Sequence, residues 1–174
     1  MEVAVSTRSE QAKHPVSAML AGPYGHPFHP ILVTVPIGAW LASLVFDIAS
    51  HVVADPGFLV RGAWWLIAIG VIGAAAAAAV GFLDLLAIPT GTRAFTVGLV
   101  HMTLNLAVTA GYIAGYLWRQ TLSMDGPVAL GPLALSVVSF AVLGASGYLG
   151  GMLSYRYGVR VADEATQATG FVGR

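Results

Sequence analysis

Cysteine is absent from the 174 residues. That removes disulfides, thiolate zinc sites, protein-ligated iron–sulfur clusters and covalent c-type haem attachment at one stroke. Charge is scarce as well, at 9% of residues where a soluble domain carries about 25%. The formal net charge is zero, so no basic surface points to nucleic acid. No HExxH, GxSxG or Walker loop occurs, and without a cysteine nucleophile the case for an enzyme stays open and thin. The first 22 residues lack the 7–15-residue apolar core of a signal peptide and read as a tail that stays attached. Residues 16–21 form a weakly apolar patch able to lie on a membrane surface. No internal repeat is evident along the chain.

What is abundant is apolar sequence. Hydrophobic residues make up 57% of the chain and the mean hydropathy is +0.79, which marks an integral membrane protein. The pattern predicts an all-α, four-helix transmembrane bundle over residues 23–161, between an N-terminal tail (1–22) and a C-terminal tail (162–174). The spans run from His29 to Ser50, Phe58 to Leu83, Thr92 to Trp118 and Val128 to Tyr155.

The entry to the first span is Gly25-His26-Pro27-Phe28-His29-Pro30. Each proline biases the histidine before it away from the α region, so the two imidazoles are presented from a stiff segment at the bilayer edge. Pro36 should bend the span, because it cannot donate to the carbonyl of Leu32. At 100° per residue His29, Pro36, Trp40, Ser43 and Asp47 share one stripe, with His29 and Asp47 about 27 Å apart, and that stripe should face other helices. A carboxylate within a span needs a partner, and His51 or Arg61 is the expected one.

The second span contains Ala74 through Ala79, smooth enough for close approach, and ends near Asp84, for which Arg93 is the expected partner. The third carries His101 inside an apolar run, with Gly98, Asn105 and Tyr112 on its stripe. The fourth holds Gly144, Gly147 and Gly151, a small-residue face suited to a crossing helix or a flat guest. Arg8, Lys13, Arg93, Arg156, Arg160 and Arg174 fall on one side and only Arg61 and Arg119 on the other, which predicts both termini on the same, cytoplasmic side.

Four stretches in order resemble a known family: 25–30, Gly81-Phe82-Leu83-Asp84 with Ile88-Pro89-Thr90-Gly91-Thr92-Arg93-Ala94, His101 with Asn105, and Gly150-Gly151-Met152-Leu153-Ser154-Tyr155-Arg156-Tyr157-Gly158-Val159. Together they are similar to the bacterial four-helix membrane family of unknown function 2231. The resemblance covers about residues 25–161 and carries over His26, His29, Asp84, His101, Asn105 and Tyr155. Because members occur fused to Rieske-type or c-type cytochrome modules, it implies a redox or haem role in a bacterial inner (cytoplasmic) membrane.

Three readings follow. The first is a membrane b-type haem protein acting in electron transfer, with His101 and His29 as axial ligands and His26 as substitute. Asn105 and Gly147 would line its slot, Arg93 or Tyr155 would meet the propionates, and the electron partner would be a separate protein. The second is a single zinc, iron or copper ion held by His26, His29, His101 and Asp84. The third is a proton relay through Asp47, Asp84 and the histidines, or a non-catalytic subunit, as a homo-oligomer or within a larger membrane complex.

Overall fold

A computed structural model describes residues 2–17 and 21–172. Helix α1 (Glu2–Lys13) precedes a single 3-10 turn at Pro23–Gly25. Then come α2 (Phe28–Leu32), α3 (Thr34–Ala49), α4 (Gly57–Ala87), α5 (Arg93–Arg119), α6 (Leu130–Tyr155) and the short α7 (Glu164–Ala168). Four of these units, with α2 and α3 counted together as Phe28–Ala49, are long and apolar enough to cross a membrane, as the sequence predicts.

The break between α2 and α3 falls at Val33, three residues before Pro36. A proline at 36 leaves the Leu32 carbonyl without its helical donor, and the ladder restarts with Ile37 N donating to Val33 O at 3.2 Å. The turn into α5 is set by Thr92, whose hydroxyl accepts from Phe95 N at 3.1 Å and donates to Pro89 O at 2.7 Å. Gly91 before it has φ +74, a left-handed conformation that a side chain would strain.

Two antiparallel hairpins, α3 with α4 and α5 with α6, make up the bundle. They are related residue by residue, which corrects the expectation that the chain holds no repeat. His29, Trp40 and Asp47 on the first hairpin correspond to His101, Tyr112 and Arg119 on the second, each 72 positions on (101 − 29, 112 − 40, 119 − 47). Every one of these pairs meets across the bundle axis. The His29 and His101 ring centroids are 6.4 Å apart, Trp40 stacks on Tyr112 at 4.1 Å and 11°, and Asp47 takes two hydrogen bonds from Arg119 at 2.8 and 2.6 Å.

The packing helices repeat too, 69 positions apart (136 − 67 and 146 − 77). Trp40 Nε1 donates to Ile67 O at 3.3 Å where the Tyr112 hydroxyl reaches Ser136 O at 3.5 Å. The match was hidden from the sequence because Trp is paired with Tyr and Asp with Arg: position and depth are kept while chemistry is not.

The stripe on the first span is buried as its spacing requires, with Pro36, Trp40, Ser43 and Asp47 all inside. Its carboxylate, however, pairs with Arg119 and with neither His51 nor Arg61, which lies outside and bonds Asp125 at 3.2 Å. Both Asp47 and Arg119 are essentially inaccessible, and a third bond from Arg119 reaches Ser136 Oγ at 3.2 Å. Uncompensated, either charge would be expensive in lipid; facing each other inside the bundle, they are matched.

The opposite end is closed by the chain's two ends. Residues expected to be a tail form α1, whose Ala12 packs with Leu85, Ile88 and Val159, and Arg160 N donates to Ala12 O at 3.0 Å. Of the weakly apolar patch at 16–21, residues 18–20 lie outside those described. In the C-terminal segment Asp163 caps α7 by accepting from Thr166 N at 2.7 Å, which holds its carboxyl below the usual range. Residues 173 and 174 fall outside the described part.

Candidate functional site

The histidine pair near the closed end is assembled by the same local device twice. His29, in α2, places its ring against Gly81 of α4, where an added Cβ would lie 2.7 Å from Cε1. His101, in α5, sits likewise on Gly150 of α6, at 3.0 Å. One turn before each glycine a backbone carbonyl faces Nδ1: Ala77 O at 2.9 Å from His29 and Ser146 O at 2.8 Å from His101. A carbonyl can only accept, so Nδ1 carries the proton in both rings and, in the neutral form, the lone pair is left on Nε2. Metal-bound histidines are commonly held in this way, with the remote N–H tied to a carbonyl.

Around His101 there is a second polar layer. Asn105 Nδ2 donates to Ser146 Oγ at 2.8 Å and to His101 O at 2.9 Å. The Ser146 hydroxyl is fully buried, 3.1 Å from His101 O and 3.0 Å from Nδ1. Asn105 Nδ2 also lies 3.2 Å from Nε2 and 3.4 Å from Nδ1. A donor on the Nε2 lone pair would be far from Nδ1, so this near-equidistance leaves that lone pair uncommitted. Around His29 the corresponding positions are Val33 and Ala77, which are apolar. Among the described residues nothing hydrogen-bonds its Nε2.

The two histidines therefore sit at one depth, although the first opens its span and the second lies two turns inside its own. Helix α4 continues past Gly81 to Ala87, and α5 begins two turns before His101, so both helices rise beyond the level of His29. The entry segment is closed into a turn by Gly22 N donating to His26 O at 2.9 Å.

Other residues singled out from the sequence go elsewhere. His26 faces outward with Nδ1 3.0 Å from the Tyr24 hydroxyl, and it does not join the pair. Tyr155 is 94% exposed. Arg93 is exposed at the first residue of α5, and Asp84 pairs instead with Arg160 Nε at 3.0 Å. Two residues after the glycine that ends α6, Arg160 has φ +57 and turns back onto α4; only that reversal brings it within reach.

Gly147 and Gly144 are exposed with open space where a Cβ would be, so the glycine touching an imidazole is Gly150, three positions on from Gly147. The expected four-ligand metal set is not brought together. Among the described residues no group of three or more His, Cys, Asp or Glu side chains is arranged to hold an ion. Ser146, which links Asn105 to His101, was missed because a serine in a small-residue run looks like packing. Its only signal is its place four residues before Gly150.

Neither a curated protein nor a solved structure matches the chain. A family model does, over residues 25–163, the region that runs from the entry segment through the two hairpins to the Arg160 turn. The chain belongs to the family described as Predicted membrane protein (DUF2231).

Proposed function

We propose that this membrane protein binds one b-type haem between its two hairpins and passes electrons to and from a separate redox protein. The observation that carries the reading is the pair of imidazoles, one from each hairpin in edge-to-face contact, with both Nδ1 atoms tied down and both Nε2 lone pairs uncommitted. His29 and His101, one from each hairpin and with ring centroids 6.4 Å apart, are the residues that would hold the iron. Two nitrogen ligands suffice for haem iron, whereas a bare zinc or iron site wants more donors than are gathered here.

Room for a flat guest is asymmetric. Leu85 packs against Gly98, 2.8 Å from where a Cβ would be, and fills the α4–α5 side. On α6, an added Cβ at Gly144 or Gly147 would meet nothing within 4 Å, so this helix offers the small-residue face beside which a flat guest would lie. When bound, the haem would supply a one-electron iron couple. The chain would supply the rest: His29 and His101 would hold the iron, while Pro36 and Val108 close the interior one layer deeper, and Arg93 and Tyr155 are exposed polar groups at the same end.

The bias of basic residues supports an inner-membrane orientation with both termini cytoplasmic, which would put this site near the cytoplasmic face. The test is the visible spectrum of the purified, detergent-solubilised protein. A Soret band at one haem per chain that shifts on dithionite reduction, survives His26→Asn and is lost in His101→Ala is the expected result. A protein that stays colourless when expressed with excess haem and titrated with hemin contradicts the proposal.

A further inference from the structure

The two hairpins place their rungs at the same depths but do not hold their histidines equally firmly. His101 stands in the middle of the 27-residue α5 and is clamped by Asn105 and by both oxygens of Ser146. His29 stands on α2, five residues long, with one hydrogen bond to hold its ring. Helix α2 is separated from α3 by the break at Val33, and before it lie Pro27 and a turn in which Tyr24 and Gly25 both have positive φ. Rotation at Val33 would withdraw His29 at the cost of the bond from the Thr34 hydroxyl to Ile31 O, 2.7 Å, but without opening the backbone ladder of α3, because Pro36 has already removed the backbone bond that would resist it. Moving His101 would require unwinding a transmembrane helix and breaking its polar clamp.

We propose that the site is hemilabile: His101 is the permanent anchor and His29 a releasable one, so that a small neutral donor of the carbon monoxide or imidazole class can take the position His29 vacates. The exchange is a substitution at a held metal. One nitrogen–metal bond breaks, one bond to the incoming lone pair forms, and no electron is transferred. The ligand-exchange part rests on the haem reading. The difference in ring mobility does not, and it can be measured on the haem-free chain.

Two measurements decide it, both on the full-length protein in detergent. In protein labelled with 15N-histidine, with signals assigned through His29→Gln and His101→Gln, the Nδ1–H of His101 should exchange with water at least about tenfold more slowly than that of His29. The double variant Asn105→Leu/Ser146→Ala should close that gap by accelerating His101 alone. Equal rates in the parent protein, or slower exchange at His29, overturn the proposal whether or not haem is bound. In haem-loaded, dithionite-reduced protein, carbon monoxide should convert the spectrum to that of a carbonyl complex, and the same addition to His29→Ala should give the same product faster. A loaded protein that refuses carbon monoxide overturns ligand exchange while leaving the haem reading standing. Absence of haem from the parent protein defeats that reading and leaves the exchange rates to decide the rest.

Discussion

At position 81 a methyl group has nowhere to go, since it would meet the His29 ring at 2.7 Å, while at the exposed position 38 it would meet nothing within 4 Å. Gly81→Ala should therefore displace His29 and lower haem occupancy several-fold, measured as Soret absorbance per chain, whereas Gly38→Ala leaves occupancy unchanged. Equal effects of the two would show that the glycine cradle does not position the ring. A second prediction at this scale concerns the buried ion pair. Asp47→Asn leaves the guanidinium of Arg119 without its counter-charge and should cost about 3–5 kcal/mol, seen as a large fall in the thermal midpoint. The double change Asp47→Leu/Arg119→Met should recover most of it, because what is lost is the match between charges and not a gain from having them.

Much of this histidine layer, the candidate site, could be read from its residues one at a time. His29, His101 and Asn105 stood out because imidazoles and amides are rare in apolar runs, and a rare residue in lipid needs a reason. What could not be read was pairing. Arg93 is nearer than Arg160 to Asp84 in sequence, and His51 is nearer than Arg119 to Asp47, but proximity along a helix says nothing about which residue the next hairpin brings across.

At the scale of the element, the spans were legible to within a few residues because the bilayer sets their length and few charges interrupt them. Pro36 foretold the break at Val33, one turn earlier. Helix α1 was not foreseen, because its sequence is polar with almost no apolar face; Ala12 packs against residues of α4 and of the segment after α6, and Arg160 bonds the carbonyls of Ala12 and Lys13. The start of α5 offers a sharp test of local control. Thr92→Ala removes the hydroxyl that accepts from Phe95 N and fastens Pro89 O, and should cost about 1 kcal/mol. Thr96→Ala, one turn on, removes only a bond of that hydroxyl to a carbonyl already used by the helix, and should be close to neutral.

In the whole molecule, three paired layers run down the axis, from the histidines through the stacked aromatics to the ion pair, separated by 11 and 7 positions along each helix. Those spacings correspond to about 16 and 10 Å. The column gives the bundle two unlike ends, a polar site under the joined termini and a sealed charge pair at the other. Its orientation can be tested directly, because a chain without cysteine accepts single reporter thiols. With Arg8→Cys, Ala168→Cys and Ser123→Cys, a membrane-impermeant maleimide applied to intact cells should label only Ser123→Cys, and breaking the cells should expose the other two. The reverse pattern would put the termini outside.

The proposed haem site requires iron held by one nitrogen from each hairpin. Low-temperature electron paramagnetic resonance of the ferric protein tests it most directly. A low-spin signal that turns high-spin in His29→Ala and disappears with the haem in His101→Ala is the predicted result. A low-spin signal that persists unchanged in both variants would contradict it.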